Sequence, residues 1–263
     1  MKRNLRFILM LFKMKLSKMM VYRLSFFGGT FVDGSLFLLW LLMFNAIYSQ
    51  VDSIGGWSRG QATIFLGTFS LLNAINMTIY FFGVIGIPNK IRNGELDHYL
   101  TKPINPLLRI TFENINLGSA PLIFFSIGII AYGVSMQGMV IHAGTLVLYI
   151  LFIILMAILY YDMELIVRTV PFLVISASSI ERLENAAFDL CMRVPGVLFK
   201  GAFKVLFYFI LPYGIMATIP TQIISNSVSG IMIATSAVIV VAFTVFAQRF
   251  WRLGLQNYKS ASS

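Results

Sequence analysis

"NINLGSAPLIFFSIGIIAYGVSMQGMVIHAGTLVLYILFIILMAILYY", residues 114–161, runs for 48 residues without one Asp, Glu, Lys or Arg. One helical crossing of a bilayer takes about 20 apolar residues, so this stretch is too long for one span and suits two. The polar "SMQG" at 135–138 supplies the turn, placing spans at about 114–134 and 141–161. Working outward, Val205–Gln248 is uncharged for 44 residues and reads as a second hairpin, with Pro220 and "SNSVSG" at 225–230 marking its turn and spans at about 203–219 and 230–248. Gly60–Asn89, uncharged for 30 residues, holds one tilted span at about 62–86. Gly34–Val51 with the preceding "LSFFGGTFV" gives a span at about 26–48. The fold expected is an all-α polytopic membrane protein with six transmembrane helices, forming a single unit over 1–263.

Composition agrees. Of 263 residues 58% are hydrophobic and 11% charged, against about a quarter charged in soluble domains. The net charge of +10 reflects topology, since the cations flank the apolar runs; no basic-aromatic module points to nucleic acid. With six spans, 19 of the 20 Lys and Arg fall on one side and only Arg59 on the other, which predicts that both termini are cytoplasmic. Residues 1–23 read as a retained amphipathic helix lying on the anionic inner leaflet. Leu5, Ile8, Leu9, Phe12, Leu16 and Met19 form its apolar stripe; Lys2, Arg3, Arg6, Lys13 and Lys18 lie opposite, and Lys15 breaks the pattern. Residues 175–195 read as a cytoplasmic amphipathic helix leading into span five. The apolar "TVPFLVISASSI" at 169–180 is too short to cross and is either an extension of span four around Pro171 or an interfacial segment. The single cysteine, Cys191, excludes an internal disulfide.

Several chemistries are absent. No G-x-x-x-x-G-K-[ST] loop or H-E-x-x-H pair occurs, and His98 and His142 fall on opposite sides of the membrane. The chain is expected to bind no cofactor or metal and to catalyse nothing by itself. Asp33 is the one acid expected inside a span, near its cytoplasmic end; Asp162 and Glu164 are expected in solvent at the inner end of span four. An ion-coupled secondary transporter normally needs more buried polar groups. It and a small integral-membrane enzyme stand as the alternative readings.

The most polar stretch of the first half is "IRNGELDHYLTKPINPL", 91–107. Pro88 ends span two, and Pro103 and Pro106 stop the following helix. The segment 88–106 therefore reads as a short cytoplasmic helix between spans two and three, with Ile91, Leu96, Tyr99 and Leu100 among its charges. Its Gly94, Leu96, Asp97, Leu100 and Pro103 resemble the G-x-L-D-x-x-L-x-x-P signature of permease subunits in the ABC-2 exporter superfamily. The ending "FWRLGLQNYKSASS" is similar to the W-R-x-G-L-x-x-Y-x-S-A-S of one branch, and Trp40, Tyr48 and the stretch 193–220 fit its pattern. Where that branch often has Phe-Trp, this chain has Pro171-Phe172. The resemblance implies a permease paired with a second, identical or homologous permease and with two ATP-binding cassette ATPase subunits that carry ATP and Mg. It implies a multi-pass place in the plasma membrane of a prokaryote, and export of an amphipathic or hydrophobic drug-like compound, antimicrobial peptide or lipid. Ile91, Arg92, Gly94, Glu95, Leu96, Asp97, Tyr99, Leu100 and Pro103 would be the coupling residues that meet the ATPase. The segment 220–229 would dip back from the outer face near the exit.

Overall fold

The computed structural model describes residues 2–21, 23–174 and 177–258, and omits the side chains of 2–6, 16, 18–21, 23–30 and 33. The chain forms α1 (Lys2–Val21), α2 (Arg23–Tyr48), α3 (Arg59–Ile79), α4 (Phe81–Val84), α5 (Ile87–Arg92), α6 (Asp97–Leu100), α7 (Pro106–Glu113), α8 (Ala120–Gln137), α9 (Ala143–Thr169), α10 (Ser178–Arg193), α11 (Gly201–Val205), α12 (Tyr213–Met216), α13 (Thr218–Ile224) and α14 (Gly230–Asn257). Apart from one isolated Ile54–Trp57 bridge, no strand occurs among the described residues. The chain is all-helical, as expected.

Among the described residues, four helical stretches are long and apolar enough to cross a bilayer: α3, Leu117–Gln137, Ala143–Phe172 and α14. α2 has 26 residues, of which Gly34–Tyr48 forms a shorter apolar stretch. α3 and α8 pack antiparallel through small residues. A side chain on Gly67 would strike the Ile130 backbone nitrogen at 2.9 Å, and one on Gly133 that of Ile64 at 2.8 Å. Ser70 and Ser126 hydroxyls meet at 2.6 Å between them. Close approach of this kind substitutes for a hydrophobic drive that lipid does not supply.

The structure corrects several boundaries. Span two stops at Ile79, because Tyr80 (φ −132°) breaks the ladder before α4. α9 runs on to Thr169, and a tight helical turn carries it through Pro171 to Phe172; of the 169–180 stretch, residues 178–180 already belong to α10, and 175 and 176 are outside the described set. The stretch expected as a straight fifth span is broken. Gly201–Ile210, whose second half closes i→i+5 bonds such as Leu211 N–H to the Leu206 carbonyl (2.7 Å), meets Tyr213–Ile224 at 80°. Pro220 lies buried inside α13, leaving 225–229 as the turn.

α10 is the larger correction. It was expected on the surface, yet it starts beside the C-terminal end of α9 and climbs into the bundle. Phe188 packs on Phe69, the midpoint of α3, at 5.1 Å. Arg193 lies over the Trp40 ring at 4.7 Å, and Leu198 reaches Gly55 in the loop joining α2 to α3. Residues 178–199 thus pass from one end of the bundle to the other. The sequence hid this because Glu181, Arg182, Glu184, Asp189 and Arg193 lower its hydropathy below that of any lipid-facing helix. Tyr213 returns to the middle of the bundle, where its hydroxyl donates to Glu184 (3.0 Å), and α13 leads back to Asn226, within 3.5 Å of Thr145 at the start of α9. Residues 201–224 therefore enter and leave the bundle from one end.

Candidate functional site: a clamped polar module and a polar cavity

The module between α3 and α8 is built on Leu96. Gly83 lets α4 touch α7, since a side chain there would overlap the Ile110 carbonyl. Pro88 starts α5, and Gly94 turns the chain in the left-handed region (φ +70°). The Leu96 amide then donates back to the Lys90 carbonyl at 3.2 Å. That reversal drives the Leu96 side chain inward, 0% exposed, against Val84, Ile87, Ile110, Leu165, Ala247 and Trp251. The continuous helix expected over 91–102 is two short helical pieces, and Leu96, expected to face a partner, is core.

A polar clamp closes the module. Glu113, at the end of α7, accepts from the Tyr99 hydroxyl at 2.8 and 2.9 Å and pairs with Lys90 at 3.0 Å. Lys90 and Arg109 both lie over the Tyr99 ring, at 5.2 and 4.7 Å. Burial would lower the Lys90 pKa, but its bonds to Tyr99 and Glu113 outweigh that and raise it. The Tyr99 phenol is raised chiefly by burial. Asn105 caps α7 by accepting from the Leu107 amide at 2.9 Å. What remains outward is Arg92, Glu95, His98, Leu100 (42% exposed), Lys102 and Pro103, while Ile91 and Asp97 are half-buried. Arg92 is held by Asn89 at 2.7 Å and Glu95 by Asn93 at 3.3 Å. A small rigid knob with a mixed polar and apolar crown results.

The C-terminal motif belongs to the same core. Trp251 and Tyr258 pack edge-on against Phe172 at 5.5 and 5.9 Å, and Gly254 leaves room for that ring. Residues 259–263 lie outside the described residues. α1 touches α7 and the turn before α8; Lys15 donates to Asn114 at 3.3 Å. Lys13 is exposed beside exposed Leu9, Met10, Phe12 and Met14. Lys2, Arg3, Arg6, Lys18 and Asp33 have side chains outside the described set.

A second polar centre escaped the sequence reading. Asp162 and Glu164, expected in solvent, are 2% and 5% exposed, and Arg168 is 3% exposed. Asp162 accepts a hydrogen bond from Thr244 of α14. Arg168 reaches Glu184 at 2.9 Å, Glu164 at 3.4 Å and Glu181 at 4.0 Å. The available signal was Glu164 four residues before Arg168 in an otherwise apolar run; the missing information was that α10 docks there and excludes water. A cavity of about 330 Å³ adjoins this cluster, lined by α3, α9, α10 and α12. A larger, mainly apolar groove of about 620 Å³ lies between α3, α7, α9 and α14, with Asp162 and Gln248 among its few polar groups.

The sequence model of a family described as "ABC-2 family transporter protein" matches residues 34–262. No individual curated protein and no solved structure matches the chain.

Proposed function

The chain belongs to the ABC-2 family of transporters, and from that premise we propose that it is the transmembrane permease subunit of an ATP-driven exporter in the plasma membrane of a prokaryote. A subunit of this family is a multi-pass transport protein and is not itself catalytic. Two ATP-binding cassette subunits, which hold ATP and Mg, dock beneath it, and a second permease, identical or homologous, completes the pathway. α2, α3, α8, α9, α10 and α14 make six crossings, with both chain ends inside and 201–224 re-entering from outside. This moves Arg193, Lys200 and Lys204 outward yet leaves most Lys and Arg within, as the positive-inside bias requires.

The observation that carries the proposal is the knob of residues 87–113. Lys90, Tyr99 and Glu113 clamp it shut and Leu96 anchors it to α9 and α14, while Glu95, His98, Leu100 and Lys102 project. A push on that crown therefore reaches α3, α9 and α14 through Leu96 and Trp251. The outer face of α10 supports the paired permease: Arg182, Asn185, Asp189 and Arg193 are exposed at bundle depth, which is costly against lipid and suits a water-filled path between two permeases. Co-expression tests the proposal. Leu100→Asp in the crown should leave a folded membrane protein that no longer co-purifies with its ATPase or no longer stimulates it. Transport and complex formation unaffected by Leu100→Asp together with His98→Asp would sink it.

An ion-coupled carrier is the second reading, favoured by the buried carboxylates Asp162, Glu164 and Glu184. Transport that survives ATP depletion and collapses with the proton or sodium gradient would select it.

A further inference from the structure

The 330 Å³ cavity is open to solvent at exposed Asn185 and Asp189 and closed by Asn76, Glu164 and Glu184. Asn76 is 0% exposed, its amide beside the Tyr160 hydroxyl and its carbonyl oxygen without a hydrogen-bond partner; the Glu164 Oε2 also lacks one, its nearest cation being Arg168 at 3.4 Å. Buried polar groups in that condition call for a ligand or water. Charge selects among ligands. Three carboxylates, Glu164, Glu181 and Glu184, surround the one Arg168 guanidinium, and Asp189 adds another at the mouth, only loosely paired with exposed Arg193 at 4.0 Å. In formal charge, four carboxylates therefore face two guanidiniums at this cavity.

Size and walls narrow the class further. A single water needs roughly 10–15 Å³ of such space, whereas this volume falls at the lower end of organic-ligand pockets. Tyr160, Phe188 and Tyr213 form one wall, with ring centroids 5.1, 5.9 and 6.3 Å apart. Aromatic rings beside carboxylates are the setting that holds alkylammonium groups. Among the described residues no group of His, Cys, Asp and Glu is arranged to hold a metal ion. We propose that this cavity binds a small organic cation, an ammonium group on a compact apolar body, received past Asp189 and held by Asn76 and Glu164. That the cation is cargo rests on the exporter function proposed above; that the cavity binds one does not.

The test uses the full chain in lipid nanodiscs and radiolabelled benzyltrimethylammonium in equilibrium dialysis. The expected result is saturable binding at one site per chain that an excess of benzyl alcohol or potassium ion does not displace. Glu164→Gln, and separately Asp189→Lys, should weaken it by about tenfold or more. Asp189 is exposed, so its variant should melt as the parent does and keeps the test valid if Glu164→Gln fails to fold. No saturable binding, equal displacement by benzyl alcohol or potassium, or unchanged affinity in Asp189→Lys would overturn the site. In vesicles carrying the ATPase partner, saturable binding without ATP-driven cation movement upholds the site and removes its role as cargo site. ATP-driven export of another compound without cation binding removes the site and leaves the exporter standing.

Discussion

Leu96 and Leu100 lie four residues apart in the polar segment and carry opposite roles. Leu96 is fully buried and Leu100 is 42% exposed. Leu96→Asp places an uncompensated charge among Ile87, Ile110 and Trp251, so it should destabilise the protein by about 4 kcal/mol, read as a lowered melting temperature and poor recovery from membranes. Leu100→Asp should leave melting unchanged. Equal melting of the two variants would contradict the burial. The Lys90–Tyr99–Glu113 clamp gives a second residue-level expectation. The folded pKa of Lys90 lies above its ordinary 10.5. Its contribution to stability is therefore fully present below the ordinary pKa and lost as pH rises through the folded one. Alkaline destabilisation should set in beyond about pH 10, and Glu113→Gln should abolish that part of the profile. Tyr99→Phe, which removes the hydroxyl bonded to Glu113, should cost about 1–2 kcal/mol.

Between elements, the tightest seam is α3 against α8. Gly67→Val sets new atoms against the Ile130 backbone, and Gly133→Val against that of Ile64. Neither backbone can yield without parting the helices. Each variant should lower the melting temperature markedly, while Gly128→Ala, where a Cβ meets nothing within 4 Å, should be neutral or stabilising. A melt showing Gly67→Val equal to Gly128→Ala would mean that the seam is looser than the structure has it. The glycine and serine positions were visible in the sequence. Their pairing was not, because helical periodicity does not say which neighbour a face meets.

For the whole molecule the decisive question is whether 178–199 or 201–224 crosses the bilayer. If 178–199 crosses and 201–224 re-enters, a cysteine at exposed Lys200 should react with an impermeant thiol reagent from outside, like cysteines at Ser53 and Ser227, and one at Asn93 should not. Labelling of position 200 only after permeabilisation would restore the surface placement of α10. Native Cys191, 1% exposed, should stay unlabelled until the protein is denatured, so Cys191→Ser serves as the background without changing the result.

Charge-free runs of 18 to 48 residues determined that this chain is a helical membrane protein and placed α2, α8, α9 and α14 to within a turn or two, except that α9 and α14 run about two further turns at their C-terminal ends. A bilayer admits few ways to satisfy the backbone, so hydropathy alone has that power. The motif residues Gly94, Leu96, Trp251 and Gly254 were also legible as a set. Tertiary structure decided what they do: Gly94 turns Leu96 into a core that Trp251 completes, and Gly254 admits Phe172 beside it. It also decided that α10 enters the bundle and that Glu164, Arg168 and Glu184 are interior. Local sequence prices each charge as if it faced water or lipid alone, and only packing brings the opposite charges and hydroxyls that let a polar helix sit inside.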